Sequence, residues 1–134
     1  MKDSPFNIMT NKKYKSISIS NLIINPDNDR FESVENEKQA IDIMLTKLGD
    51  KIYYIAIHIL ENGSSPKPFY VMPSKKSNKK FLVKEGNRRT TALKLMANPK
   101  LIDSKKHASL KNRFFKLHER FMETPIRKIM CYIY

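Results

Sequence analysis

Residues 81–96, Phe81-Leu82-Val83-Lys84-Glu85-Gly86-Asn87-Arg88-Arg89-Thr90-Thr91-Ala92-Leu93-Lys94-Leu95-Met96, read as a strand that passes through a glycine into a helix. Asn98-Pro99 stops the helix, because proline cannot continue the hydrogen-bond ladder. A junction of this kind suits anions. The first turn of a helix leaves backbone N–H groups unpaired, and the macrodipole adds positive potential there. Gly86 lets the chain adopt a positive φ or approach a ligand closely. Arg88 and Arg89 add planar guanidinium forks that match phosphate oxygens, and Thr90 and Thr91 place hydroxyls in the same turn. The pattern GxxxxGK[ST] does not occur, so this is not a Walker A loop. The competing reading is that Asn87 merely caps the helix and both arginines are solvated.

Working outward, Phe69–Met72 and Phe81–Lys84 read as a hairpin across the basic turn 73–80. Tyr14–Ile19 alternates as a short strand, and Asn25-Pro26-Asp27-Asn28-Asp29 is dense in turn formers. Ala40, Ile43, Met44 and Leu48 give a helix over 35–48, which Gly49-Asp50 ends. Ile52, Ile55, Ala56, Ile59 and Leu60 form a second apolar stripe closed by Asn62-Gly63, helical or else a buried strand. A proline-punctuated loop follows over 64–68. Downstream, Leu110, Phe114, Leu117 and Phe121 mark an amphipathic helix, and Ile126–Tyr134 a strand. The first 13 residues are polar and aperiodic and are expected to be a flexible tail, with residues 14–134 as the domain. Because the chain ends on an apolar strand, it is expected to be the N-terminal piece of a longer protein.

A chain of 134 residues, 40% hydrophobic, suits one domain with a single core. No apolar run approaches the ~20 residues that span a bilayer, and the N-terminus lacks the apolar stretch of a secretory signal. The single cysteine, Cys131, excludes an internal disulfide and a CxxC zinc knuckle. The expected location is the cytoplasm. Charge says more. Residues 1–72 hold nine Lys/Arg and nine Asp/Glu, whereas residues 73–134 hold seventeen against four and carry the whole net charge of +13. Such a field attracts polyanions, nucleic acid first among them. An anionic membrane fits less well, since there is no tryptophan and no exposed apolar face among the basic segments. Lys75, Lys76, Lys79 and Lys80 crowd the hairpin turn and are candidate contacts to a DNA backbone.

The box Glu85-Gly86-Asn87-Arg88-Arg89-Thr90-Thr91-Ala92-Leu93 resembles the Gly-Glu-Arg-Arg box of the ParB/sulfiredoxin superfamily. Leu22-Ile23-Ile24-Asn25-Pro26-Asp27-Asn28-Asp29-Arg30 is similar to that family's Leu-x-x-Asn-Pro-x-x-x-Arg entry loop. Gly63-Ser64-Ser65-Pro66-Lys67-Pro68 is similar to its Gly-x-x-Gln-x-Pro segment. The resemblance covers about residues 15–97. It implies an α+β fold, a mixed sheet with flanking helices, and a pocket for a nucleoside triphosphate with Mg2+. Carried over, Gly63 and Pro66 or Pro68 line the nucleoside side, and Gly86, Asn87, Arg88 and Arg89 hold the phosphates, with Arg30 folding over the pocket or pairing with Asp27 or Asp29. The partners it implies are a nucleotide, DNA and a second copy of the chain. The alternative is a DNA-binding or nucleolytic domain that grips the phosphate backbone without free nucleotide.

The departures from the family matter equally. Its hydrolytic glutamate is replaced by Asn87, which cannot take a proton near neutral pH. The same slot is the nucleophilic cysteine of sulfiredoxins, so sulfinic-acid reduction is not expected. The segment's glutamine is also missing, with Lys67 nearby. Glu85 is the substitute carboxylate, or else a partner of Arg88 or Arg89. His58, His107 and His118 share no ligand spacing with one another or with Cys131, so no metal site follows. His58 is expected at the edge of the core.

Overall fold

A computed structural model describes residues 13–26, 36–63 and 67–134. Arg30, Pro66, the acidic residues of the entry loop and the N-terminal tail lie outside the described residues. Strands β1 (Tyr14–Ser18), β2 (Leu22–Ile23), β3 (Phe69–Pro73), β4 (Phe81–Glu85) and β5 (Lys128–Ile133) form one mixed sheet in the order β1-β5-β3-β4-β2. β1 runs antiparallel to β5 and β3 to β4, while β5/β3 and β4/β2 are parallel. Helices α1 (Glu37–Asn62), α2 (Asn87–Ala97) and α3 (Ala108–Phe121) complete the α+β fold.

Strand alternation explains how the sheet divides. Ile17, Phe69, Val71, Val83, Ile129 and Cys131 turn inward and meet Ile41, Ile52, Leu93 and Phe114 of the helices in one core. Burial pushes the Cys131 thiol up to about 11, so it is a packing residue at neutral pH. The two helical stripes over 35–60 are joined. α1 is continuous apart from a kink at Leu48, whose φ of −137° and ψ of 22° leave the helical region. Asn36 caps the start, accepting the N–H of Gln39 at 2.8 Å. Gly49 follows the kink, where a Cβ would lie 2.7 Å from Leu110 Cδ1 of α3 and would require that leucine to shift. The buried-strand alternative is thereby removed. His58 is exposed rather than at the core edge, and its ring nitrogen meets the Asn62 amide at 3.2 Å.

Candidate functional site

Gly86 forms the junction between β4 and α2 with φ of +111°, the left-handed region that glycine adopts at no steric cost. It is also packed tightly, since a Cβ at this position would lie 2.5 Å from the buried Phe69 ring. The helix cap therefore falls on Gly86, and Asn87 is the first helical residue. The intrahelical ladder begins at Thr90, whose N–H donates to the Gly86 carbonyl at 2.8 Å. The N–H groups of residues 87–89 accordingly have no intrahelical acceptor. No acidic residue lies in the first turn to neutralise the positive end of the dipole.

The two polar atoms of the Asn87 side chain hold the turn in place. Its oxygen accepts the N–H of Asn25 at 2.7 Å, and its amide donates to the Val83 carbonyl at 3.2 Å. Arg89 does the same on the other side. Its guanidinium donates to the carbonyls of Lys67 at 2.8 Å and Pro68 at 3.4 Å, and stacks 4.0 Å from the centre of the Phe69 ring. Burial draws the Arg89 guanidinium below its ordinary pKa, and the Glu85 charge opposes this. Glu85 pairs with Lys67 at 2.9 Å, not with Arg88 or Arg89. The three segments singled out in the sequence thus converge on one turn, through hydrogen bonds that span 62 and 22 residues of chain.

Neither a protein-family model nor a curated protein sequence matches the chain. One solved structure is similar to it: the C-terminally truncated chromosome-partitioning protein ParB from Caulobacter crescentus, complexed with CTP-gamma-S. The likeness covers 90% of this chain at a TM-score of 0.46 and 15% sequence identity. The chain spans 43% of that structure's length.

The remaining expected site residues divide clearly. Arg88 is exposed and makes no hydrogen bond or ion pair among the described residues. Thr90 and Thr91, expected to offer hydroxyls to phosphate, are instead buried. They donate to the carbonyls of Gly86 at 2.7 Å and Asn87 at 2.8 Å, which stiffens the turn from within. Gly63 ends α1 with φ of +79°. Lys75, Lys76, Lys79 and Lys80 are exposed on the β3–β4 turn. Among the described residues no cluster of His, Cys, Asp and Glu is placed to hold a metal ion. A cavity of about 750 Å3 lies at the opposite end of α2, lined in part by Ile19, Asn36, Lys94, Leu101 and Ile126. Lys94 is 6% exposed there and pairs with Glu37 across α1 and α2. The sequence reading missed Asn25, which is 1% exposed and hydrogen-bonded through its backbone. Its position in the Asn-Pro pair was the available signal.

Proposed function

We propose that the Gly86 turn binds the phosphates of a nucleoside triphosphate, in a module that acts with DNA. The observation that carries this reading is the convergence just described. Asn87 and Arg89 spend their side chains on fixing the turn to Asn25 and to Lys67-Pro68, which leaves the N–H groups of residues 87–89 and the guanidinium of Arg88 for an anion. Asn87 is a positioning residue and Arg88 the contact. The Lys67-Pro68 side, held by Arg89, faces the nucleoside.

Among the described residues no side chain at the turn is placed to hold Mg2+, because Glu85 is paired with Lys67 and the threonine hydroxyls are buried. Any Mg2+ comes with the phosphates, as is usual for that ion. Among the described residues no unpaired carboxylate lies at the turn, and Asn87 cannot take a proton near neutral pH, so binding without appreciable hydrolysis is the expected behaviour. The basic residues 73–134 supply the attraction to DNA, with the exposed lysines 75, 76, 79 and 80 as backbone contacts.

Calorimetric titration with CTP, ATP and GTP in the presence of Mg2+ tests the reading. Losing a hydrogen bond to a charged group costs about 1.5–3 kcal/mol, so Arg88→Ala weakens binding by roughly 10- to 150-fold. Its effect on stability stays within about 0.5 kcal/mol, as for a surface residue. Absence of heat with all three nucleotides, or an Arg88→Ala variant that binds like the wild type, contradicts it.

A further inference from the structure

The face of the sheet turned away from the helices carries a row of tyrosines that the phosphate-binding reading does not use. Tyr14, Tyr132 and Tyr70 are register partners across β1, β5 and β3. Their ring centres are 5.1 Å apart from Tyr14 to Tyr132 and 5.7 Å from Tyr132 to Tyr70. Tyr134 extends the row, 6.3 Å from Tyr70 and 5.9 Å from Tyr132. The alternating residues Ile17, Ile129, Cys131, Phe69 and Val71 are in the core, so the tyrosines project from the opposite face. Tyr134 is 65% exposed, Met130 52% and Tyr14 38%. Period-two spacing of Met130, Tyr132 and Tyr134 was the sequence signal for this face.

We propose that this face binds single-stranded nucleic acid by stacking bases on the tyrosine row. Aromatic rings displayed on a sheet are suited to unpaired bases, which offer π-faces whatever their sequence. A row of this length accommodates about two or three bases. The surrounding charge selects a polyanion. Lys13 places its ammonium 5.9 Å from the centre of the Tyr132 ring. Lys128 is exposed and alternates in phase with Met130 and Tyr132 on β5. Strands β1 and β5 each contain one lysine, Lys15 and Lys128, and none of β1, β3 and β5 contains Asp or Glu. A second copy of the chain fits the face poorly, because pairing two such surfaces brings like charges together.

The test uses fluorescently labelled short oligonucleotides of mixed sequence, as single-stranded DNA, single-stranded RNA and duplex DNA. The wild type binds single strands more tightly than duplex. It also loses tyrosine fluorescence on binding, a clean signal in a chain without tryptophan. Tyr14→Ala and Tyr134→Ala, at exposed positions, each weaken single-strand binding about 5- to 150-fold. Tyr14→Phe and Tyr134→Phe retain binding, and excess Mg2+-bound nucleoside triphosphate does not displace the single strand, which separates this face from the Gly86 turn. Equal affinity for single strand and duplex, unquenched tyrosine emission, or alanine variants that bind like the wild type overturns the proposal. Sedimentation as a dimer that Tyr134→Ala dissociates also overturns it and assigns the face to self-association.

Discussion

The side-chain oxygen of Asn87 accepts the backbone N–H of Asn25 at 2.7 Å, tying the start of α2 to the chain leaving β2. Asn25 is buried, so this N–H has little access to water as a substitute. Asn87→Ala removes the side-chain acceptor of this N–H and the donor to the Val83 carbonyl, at about 1–3 kcal/mol for a buried group that loses its partner, and urea unfolding shows the loss. Asn87→Glu is destabilising as well, because an ionised carboxylate accepts but does not donate to Val83. It is not expected to create hydrolytic activity. A stable Asn87→Glu variant that turns over nucleotide contradicts the positioning role.

The two glycines with positive φ give a second comparison. Among the described residues Gly63 has no neighbour within 4 Å of a would-be Cβ, so Gly63→Ala carries backbone strain of about 1–3 kcal/mol without a collision there. Gly86→Ala adds a collision with the Phe69 ring, and overpacking of that kind costs about 1–3 kcal/mol more. The unfolding midpoint falls further for Gly86→Ala. Equal losses refute the close packing of Phe69 under the turn.

Much of the fold was legible because its signals are local. The Gly86 junction, the hairpin of β3 and β4, the amphipathic stripe of α3 and the β5 strand all follow from spacing over a few residues. The continuity of α1 was not legible, since Gly49-Asp50 is an ordinary helix stop. The expected stop survives as the kink at Leu48 rather than as a break, and the close approach of Leu110 to Gly49, 61 positions further along the chain, is not visible in local spacing. The same limit applied at the site. Residue types pointed to the turn, but the division of labour between Arg88 and Arg89 depends on carbonyls at 67 and 68. The threonine hydroxyls turn to their own i−4 carbonyls, an option that a first helical turn offers as readily as a ligand does and that residue type alone does not reveal.

Acid dependence follows from Asp42 on α1. Hydrogen bonds from Lys106 first and His107 second hold its carboxyl below the usual value, at 3.0 and 2.9 Å. A depressed carboxyl stabilises the fold above its unfolded pKa, near 3.9, and the contribution disappears as pH falls through the folded value. The stability gap between wild type and Asp42→Asn is therefore present at about pH 5 and closes as pH falls below about 4. Urea midpoints across that range check it, and a gap that persists unchanged at the acid end refutes it.

If the exposed hairpin lysines contact duplex DNA as proposed, that binding is governed by counterion release. Its log–log salt slope is near −0.9 for each phosphate neutralised. Reversing the charge of Lys75, Lys76, Lys79 and Lys80 together makes the slope shallower, as anisotropy titrations at several salt concentrations report. A slope unchanged by the fourfold reversal excludes these lysines as DNA contacts.

The central claim is that phosphate is held by the N–H groups at the start of α2. Amide NMR during titration with a Mg2+-bound nucleoside triphosphate observes those groups individually. The account predicts that the largest shifts fall on Asn87, Arg88 and Arg89, with smaller ones at Asn25, Lys67 and Phe69 through the hydrogen bonds and packing that fix the turn. Shifts confined to the lysine turn at 75–80 or to the cavity around Lys94, Leu101 and Ile126, with residues 87–89 unmoved, contradict it.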